Sequence, residues 1–314
     1  MYFVIYNPAS KSGKGEAVWK KVKKALKNQK VNFRAYRTSK ERNGTVIASA
    51  ILDRSTAQTI NLIVLGGDGT VNEVLQAFRA EDFDRVRFIY IPTGSSNDLA
   101  RAMGRSEAPE VLVKKLINSN CYRETDIGIL NYDKAETLGY TRRYFIVSAG
   151  IGFDASVCAE AMESKGKDFL NKIGIGKLSY LYICLKQLIE TPKTYCEMIT
   201  DKGEKICMEN CYFVAAMNHC YQGGGLKFCP DAVSNDGYLD ICYAGGISKL
   251  RVLYTLGYLI KGKHIGKKGV ANVRVKSLRL RMDTPLYVHT DGEVKTKATA
   301  VSVRVMPGKL KMVM

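Results

Sequence analysis

Three short segments of this chain combine glycines, hydroxyls and acids in a pattern suited to holding a polyphosphate. The first, Asn7-Pro8-Ala9-Ser10-Lys11-Ser12-Gly13-Lys14-Gly15, follows an apolar run and precedes a lysine-rich helical stretch. Small residues there let backbone N–H groups approach an anion, and the helix N-terminus adds positive potential. It is not a Walker A loop, because no glycine stands five positions before Gly13; a plain Gly/Ser turn before a basic helix is the other reading. The second segment, Gly66-Gly67-Asp68-Gly69-Thr70-Val71-Asn72-Glu73, sets a carboxylate among three glycines between an apolar strand pattern and a helix start. An acid there repels phosphate unless it orients a hydroxyl, holds a metal or takes a proton; otherwise Asp68 caps the helix at Thr70. The third, Ile91-Pro92-Thr93-Gly94-Ser95-Ser96-Asn97-Asp98-Leu99-Ala100-Arg101, again ends a strand and starts a helix, which Asn97 or Asp98 could cap.

The cysteines and histidines point elsewhere. Cys207, Cys211, Cys220, Cys229 and Cys242 fall in one region with His219, but no C-x-x-C pair exists and most lie in strand-like apolar runs. Core packing is the expected role, not zinc. An odd count of nine cysteines and no signal-peptide pattern suggest reduced thiols and a cytoplasmic protein.

Positioning these loops requires a scaffold, and its pattern is readable. Residues 1–128 alternate apolar β-branched runs (YFVIYN, FRAYRT, TINLIVLGG, VRFIYIP) with helices near Glu16–Gln29, Gly44–Leu52, Val71 and Asn97. This βα alternation implies an α/β domain with a parallel sheet, whose ligands bind at the carboxyl ends of strands. Residues 129–314 read as a second, mostly antiparallel β domain, with YFIVSAGIG, TYCEMIT, CYFVAAMNH, YLDICYA, VRVKSLRLRM, PLYVHT and AVSVRVM as strands. A helix pair is expected from Ser156 to about Ile189 with a break at Gly174 and Gly176, and another helix from Ser248 to Ile260. The last few residues are expected to pack back on the first domain. The longest apolar stretch, Leu178 to Ile189, is too short to span a bilayer.

The motifs NPASKSGKG, GGDGTVNEV and PTGSSNDLAR together resemble the nucleotide-binding domain of the diacylglycerol kinase catalytic family, which is related to sphingosine and ceramide kinases. Asp126 in TDIG, the segment from Gly223 to Ile241 and His289-Thr290-Asp291-Gly292-Glu293 recur in the family's order, so the resemblance covers nearly the whole chain. It implies an NAD kinase/diacylglycerol kinase-like fold and an ATP- and Mg²⁺-dependent lipid kinase, with diacylglycerol as the first acceptor to consider. It implies ATP contacts at Asn7, Pro8, Ala9, Ser10, Lys11, Thr38, Gly67, Asp68, Gly69, Thr70, Val71, Asn72, Glu73 and Ser95. It also implies a magnesium network at Asp68, Asp98 and Asp126, a general base at Glu293 or Asp291, and a structural Mg²⁺ at Val233, Asp236 and Tyr238. Without the resemblance, Asp291-Gly292 and Asp236-Gly237 read as ordinary turns. A kinase for a sphingoid base or another lipid alcohol, or an NAD kinase-like enzyme, is the alternative within enzymes.

The charge belongs to this reading too. With 48 Lys+Arg against 30 Asp+Glu the formal charge is +18, which nucleic acid could also explain, but no nucleic-acid-binding motif accompanies it. Between Asp240 and Asp283 stand ten Lys or Arg and no acid, beside the helix LRVLYTLGYLI. Peripheral contact with an anionic membrane is therefore expected, while a solvated basic face is the bland alternative. A homodimer is compatible with the sequence.

Overall fold

The computed structural model describes residues 1–133, 141–163 and 176–314. The first part runs β1 (Tyr2–Tyr6), α1 (Ser10–Gly13), α2 (Gly15–Asn28), β2 (Phe33–Arg37), α3 (Gly44–Arg54), β3 (Ile60–Gly66), α4 (Asp68–Leu75), α5 (Asp82–Arg85), β4 (Val86–Pro92), α6 (Asp98–Ala102) and α7 (Pro109–Asn118). The four strands are parallel in the order β2-β1-β3-β4. Both faces are covered, as strand periodicity requires. Val4, Ile63, Leu65, Ile89 and Ile91 pack with Trp19, Val22 and Leu116 on one side. Their neighbours Ile5, Leu62, Val64, Phe88 and Tyr90 pack with Ile47, Ile51, Val71 and Val74 on the other. Because the strand order reverses between β1 and β3, a crevice opens outside their carboxyl ends. The loops after Tyr6 and after Gly66 flank it.

The rest is mostly antiparallel, as the alternating runs imply. It comprises β5 (Tyr122–Tyr132), β6 (Arg142–Phe145), β7 (Ser148–Gly152), α8 (Phe153–Glu163), α9 (Gly176–Glu190), β8 (Thr194–Thr200), β9 (Lys205–Cys211), β10 (Phe213–Met217), the short β11 (Tyr221–Gln222) and β12 (Leu226–Lys227), β13 (Leu239–Ala244), α10 (Lys249–Ile260), β14 (Val270–Val275), β15 (Ser277–Thr290) and β16 (Glu293–Val313). The two halves share one sheet, ordered β14-β13-β10-β7-β15-β16-β4-β3-β1-β2. The long strand β16 joins them: it pairs with β15 and β5 and ends in parallel with β4 at Met312 and Phe88. β5 runs unbroken across residues 128 and 129. An apolar core lies between the strands of the second half, with Leu130, Ala149, Val214, Leu278, Leu280 and Val301 among its members.

Three expectations shift in detail. The run YFIVSAGIG is not one strand: it divides at Ile146 and Val147, for a reason found in the site below. VRVKSLRLRM and PLYVHT merge, apart from a break at Lys276, into β14 and a 14-residue β15 with a register shift between Arg281 and Leu286. The expected helix pair is α8 and α9, the first beginning at Phe153; the proposed break at Gly174 lies outside the described residues.

Candidate active site

Hydrogen bonds draw the three glycine-bearing loops together at the crevice. Asn7 Nδ2 donates to Thr70 Oγ1 at 3.1 Å, tying the first loop to the second. Ser10 Oγ and Thr93 Oγ1 lie 2.9 Å apart, tying the first to the third. The Thr93 amide donates to the Gly66 carbonyl at 2.8 Å. Glycine is required at these approaches: a Cβ on Gly94 would lie 2.6 Å from Gly67 Cα, and one on Gly15 would lie 2.1 Å from the Asn7 carbonyl oxygen. Ser95 and Ser96 are exposed at the tip of the third loop, Lys11 sits at φ 52°, and the buried Thr38 donates its amide to Tyr6 at the end of β1.

Asp68 is the first residue of α4, yet it caps a different helix from the one expected. Its Oδ2 accepts the Asp98 amide at 2.7 Å and its Oδ1 lies 3.4 Å from the Leu99 amide, so the carboxylate sits at the N-terminus of α6. Tyr90, wholly buried beneath the loops, donates its hydroxyl toward Asp68 Oδ1 at 3.4 Å. Desolvation, with the nearby charges of Asp98 and Asp291 assisting, pushes the Asp68 carboxyl up to about 7. Burial also raises Asp98, partly offset by the Gly224 amide, which its Oδ2 accepts at 2.8 Å. Asn97 occupies the left-handed region at φ 51° and closes the third loop on itself through Gly94.

The hairpin between β15 and β16 brings the other two acids. Asp291, at φ 50°, accepts four hydrogen bonds: Asn72 Nδ2 and the Ile146 amide on Oδ2, the Val147 and Ser148 amides on Oδ1, at 2.8–3.0 Å. These amides are turned toward the carboxylate, which is why the strand breaks at Ile146 and Val147. Burial raises the Asp291 carboxyl while those donors pull it back. Glu293 is freer. It is half-buried, its Oε2 lies 3.5 Å from Lys295 Nζ, and its Oε1 would touch a Cβ on Gly69 at 3.1 Å. Glu293, in the second half, thus rests on the Gly66–Glu73 loop of the first. Glu73 stands near it, raised mainly by burial, while its Oε2 accepts the Gly44 amide at 2.8 Å.

Several positioning residues carry no signal in the motifs. Arg143, buried on β6, donates to Asn72 Oδ1 at 2.6 Å and to Thr290 Oγ1 at 2.9 Å, joining α4 to the hairpin. His289, with no exposed surface, places Nε2 at 2.9 Å from Asp154 Oδ2, while its Nδ1 accepts the Gly292 amide at 3.2 Å. The tautomer with hydrogen on Nε2 satisfies both contacts. A Cβ on Gly150 would strike Asp154 Oδ2 at 2.0 Å and His289 Nε2 at 2.7 Å, so only glycine fits beneath this pair.

Asp68 and Asp98 suit a divalent cation. Asp98 Oδ1 is buried without a hydrogen-bond partner, and two carboxylates with raised proton affinity call for positive charge between them. Among the described residues no three of His, Cys, Asp and Glu converge on a metal site. Mg²⁺ is commonly held by one or two carboxylates plus substrate phosphates, and this pair fits that habit. The other expected metal positions differ. Asp126 does not share its carboxylate with Asp68 or Asp98: it accepts the Gly237 amide at 2.8 Å and the Gly308 amide at 2.6 Å, because β5 carries it to the turn that follows Ser234. Asp236 is ion-paired with Arg274 and accepts the Tyr238 amide at 3.0 Å. Asp236 Oδ1 thus serves the turn's own backbone and Oδ2 faces Arg274, so a cation at Val233, Asp236 and Tyr238 would have to compete with that ion pair. Cys211, Cys229 and Cys242 are buried among apolar neighbours, whereas Cys207 is exposed.

Residues 1–129 match the family model described as the diacylglycerol kinase catalytic domain, and residues 146–314 match the YegS C-terminal NAD kinase beta sandwich-like domain. The chain is similar to YtlR of Bacillus subtilis, 28% identical with 93% of each chain covered. It is 29% identical to a diacylglycerol kinase of Staphylococcus carnosus, covering 92% of this chain and 87% of that one. The crystal structure of a diacylglycerol kinase from Bacillus anthracis superposes with a TM-score of 0.71 over 99% of this chain and 96% of that one, at 22% identity.

Proposed function

The chain belongs to the diacylglycerol kinase catalytic family, and on that premise we propose that it transfers the γ-phosphoryl group of ATP to the hydroxyl of a lipid, diacylglycerol first. One observation carries the reading: Glu293, on the hairpin of the β-rich half, lies against Gly69 at the start of the phosphate loop's helix. A proton acceptor and a phosphate cradle are held in one place by opposite ends of the chain.

In this reading the loops at Asn7–Lys11, Gly67–Glu73 and Ser95 hold the triphosphate through backbone N–H groups and hydroxyls. Asp68 and Asp98 would hold Mg²⁺, which when bound neutralises phosphate charge and orients the transferring group. Glu293 takes the proton of the acceptor hydroxyl as its oxygen forms the new bond to the γ-phosphorus and the bond to the ADP oxygen breaks. Asp291, with four donors already on its oxygens, holds the turn in place rather than taking the proton. Phosphoryl transfer asks for positioning and charge stabilisation more than covalent chemistry, and this constellation supplies both.

An apolar cavity lined by Leu130, Ala149, Gly150, Ile151, Val214 and Leu280 opens between the strands of the second half. Gly150 is shared by this cavity and by the Asp154–His289 pair that braces the Glu293 turn. A screen with labelled ATP, Mg²⁺ and lipid alcohols tests the proposal, using diacylglycerol, monoacylglycerol, ceramide and undecaprenol. Label in the lipid phase supports it; label only in a water-soluble acceptor sinks it.

A further inference from the structure

Helix α10 is apolar on two opposite sides. Val252, Thr255 and Leu259 face inward and are buried. On the other side Leu250, Leu253, Tyr254 and Ile260 are 79%, 40%, 57% and 71% exposed, with the exposed Gly257 between them. Their spacing of three, four and seven residues makes one continuous stripe along the helix. Ser248 caps the helix and Lys249 donates to the carbonyl of Ile189, which adds a further apolar side chain, 71% exposed, beside the stripe. An apolar stripe of this kind on the surface of a stable helix marks a contact with something outside the chain.

Its surroundings specify what. Lys249 and Arg251 flank the stripe, and the exposed Lys261, Lys263, Lys267 and Lys268 follow at its C-terminal end. No acid lies between Asp240 and Asp283, and Glu190, the one acid of the adjoining α9, faces Lys186. Lys267 Nζ sits 4.6 Å above the Tyr258 ring and Arg251 5.8 Å from the Tyr254 ring, so the cations border the aromatic residues closely. We propose that α10, with the segment from Lys261 to Lys268, is a docking surface for an anionic lipid bilayer, into which Leu250, Leu253, Tyr254 and Ile260 insert. A second copy of the chain is the poorer occupant, because a two-fold contact sets like patches face to face, and six cations with no acid among them would repel. The docking surface also adjoins the candidate site. The turn after α10 packs Gly262 against Lys227 and Pro230, just beyond Gly224, whose amide is on Asp98. The inference rests on the surface of α10 and not on the phosphoryl-transfer reading.

Vesicle sedimentation with the full chain tests it. Wild type is expected to bind vesicles of phosphatidylcholine with added phosphatidylglycerol, weakly or not at all phosphatidylcholine alone, and to release in high salt. Leu250→Asn with Ile260→Asn should weaken binding roughly tenfold or more. Lys261→Gln with Lys263→Gln and Lys268→Gln should weaken it about a hundredfold, near fivefold per lysine. Each variant should keep wild-type turnover of detergent-dispersed lipid, which separates this surface from the catalytic site. Equal binding to both vesicle types, binding that both variants retain, or tighter binding to duplex DNA than to vesicles at matched salt overturns the proposal. So does a wild-type dimer that becomes monomeric in the Leu250/Ile260 variant while vesicle binding is unchanged.

Discussion

His289 holds the amide of Gly292 through one ring nitrogen and the carboxylate of Asp154 through the other, at 3.2 and 2.9 Å, with no surface of the ring exposed. The turn that carries Asp291 and Glu293 is therefore anchored from beneath by α8, an element far from it in sequence. Hydrogen bonds are electrostatically stronger in such a buried setting than in water, although Asp154 Oδ1 has no partner among the described residues.

The tolerance of this anchor to added volume is nil. Gly150→Ala puts a methyl 2.0 Å from Asp154 Oδ2 and 2.7 Å from His289 Nε2. We expect a loss of about 3 kcal/mol in unfolding free energy, read by denaturant titration. Gly257→Ala, where a Cβ meets nothing within 4 Å, should leave the protein as stable as it was or more so.

Glu293 and Asp291 should separate in their phenotypes. Glu293→Gln removes a proton acceptor from a half-exposed position, so lipid phosphorylation should fall by about 10²–10⁴ while the melting temperature stays within a degree or two of wild type. Asp291→Asn replaces an acceptor of four hydrogen bonds by a group that turns an NH₂ toward backbone donors. Activity should fall together with about 2–3 kcal/mol of stability. If Glu293→Gln turns over normally, the proton goes elsewhere.

Asp68 predicts an unusual pH dependence of stability. Its ordinary carboxylate value is 3.8 and the fold raises it to about 7. Between these values the folded chain holds a proton that the unfolded chain has released, so this group's contribution to stability is greatest below pH 3.8 and declines until about pH 7. With divalent cations chelated, Asp68→Asn should melt several degrees higher than wild type at pH 8, with the difference vanishing near pH 4. The same variant should have lost its kinase activity. A lower melting temperature at pH 8 would contradict the raised value.

A cation shared by Asp68 and Asp98 gives a readout without turnover. Adding Mg²⁺ with a non-hydrolysable ATP analogue should raise the wild-type melting temperature more than the analogue does alone. Asp98→Asn should lose that extra gain, and Asp236→Asn should keep it, because Asp236 is already neutralised by Arg274. The opposite order would move the cation to the Asp236 turn.

The sequence revealed the parts of the site that use local chemistry. Gly66 through Glu73 could be read because turn, strand end and helix start are neighbours in the chain, and the alternation around Val4, Ile63 and Ile89 declared a sheet covered on both faces. What was hidden depends on contacts between distant segments. That Asp68 caps α6 and not its own helix follows from where the third loop lands. That Arg143 joins Asn72 to Thr290 cannot be read from any spacing. Asp126 illustrates the limit: its place in the motif order suggested magnesium, but the direction of β5 delivers it to the amides of Gly237 and Gly308. The break at Ile146 was invisible because an apolar run gives no hint that its amides serve a carboxylate.

Strand β16 has a further implication, for synthesis. Until Met312 has left the ribosome, β4 exposes an unpaired edge along the parallel sheet, and Arg105 lacks the carbonyl of Val313. More than two hundred residues separate the two strands, so the sheet closes only through a late, long-range pairing of the kind that slows folding. A nascent chain halted before β16 would carry all three glycine loops and no Glu293. All three glycine loops emerge from the ribosome long before the residue that rests on the second of them.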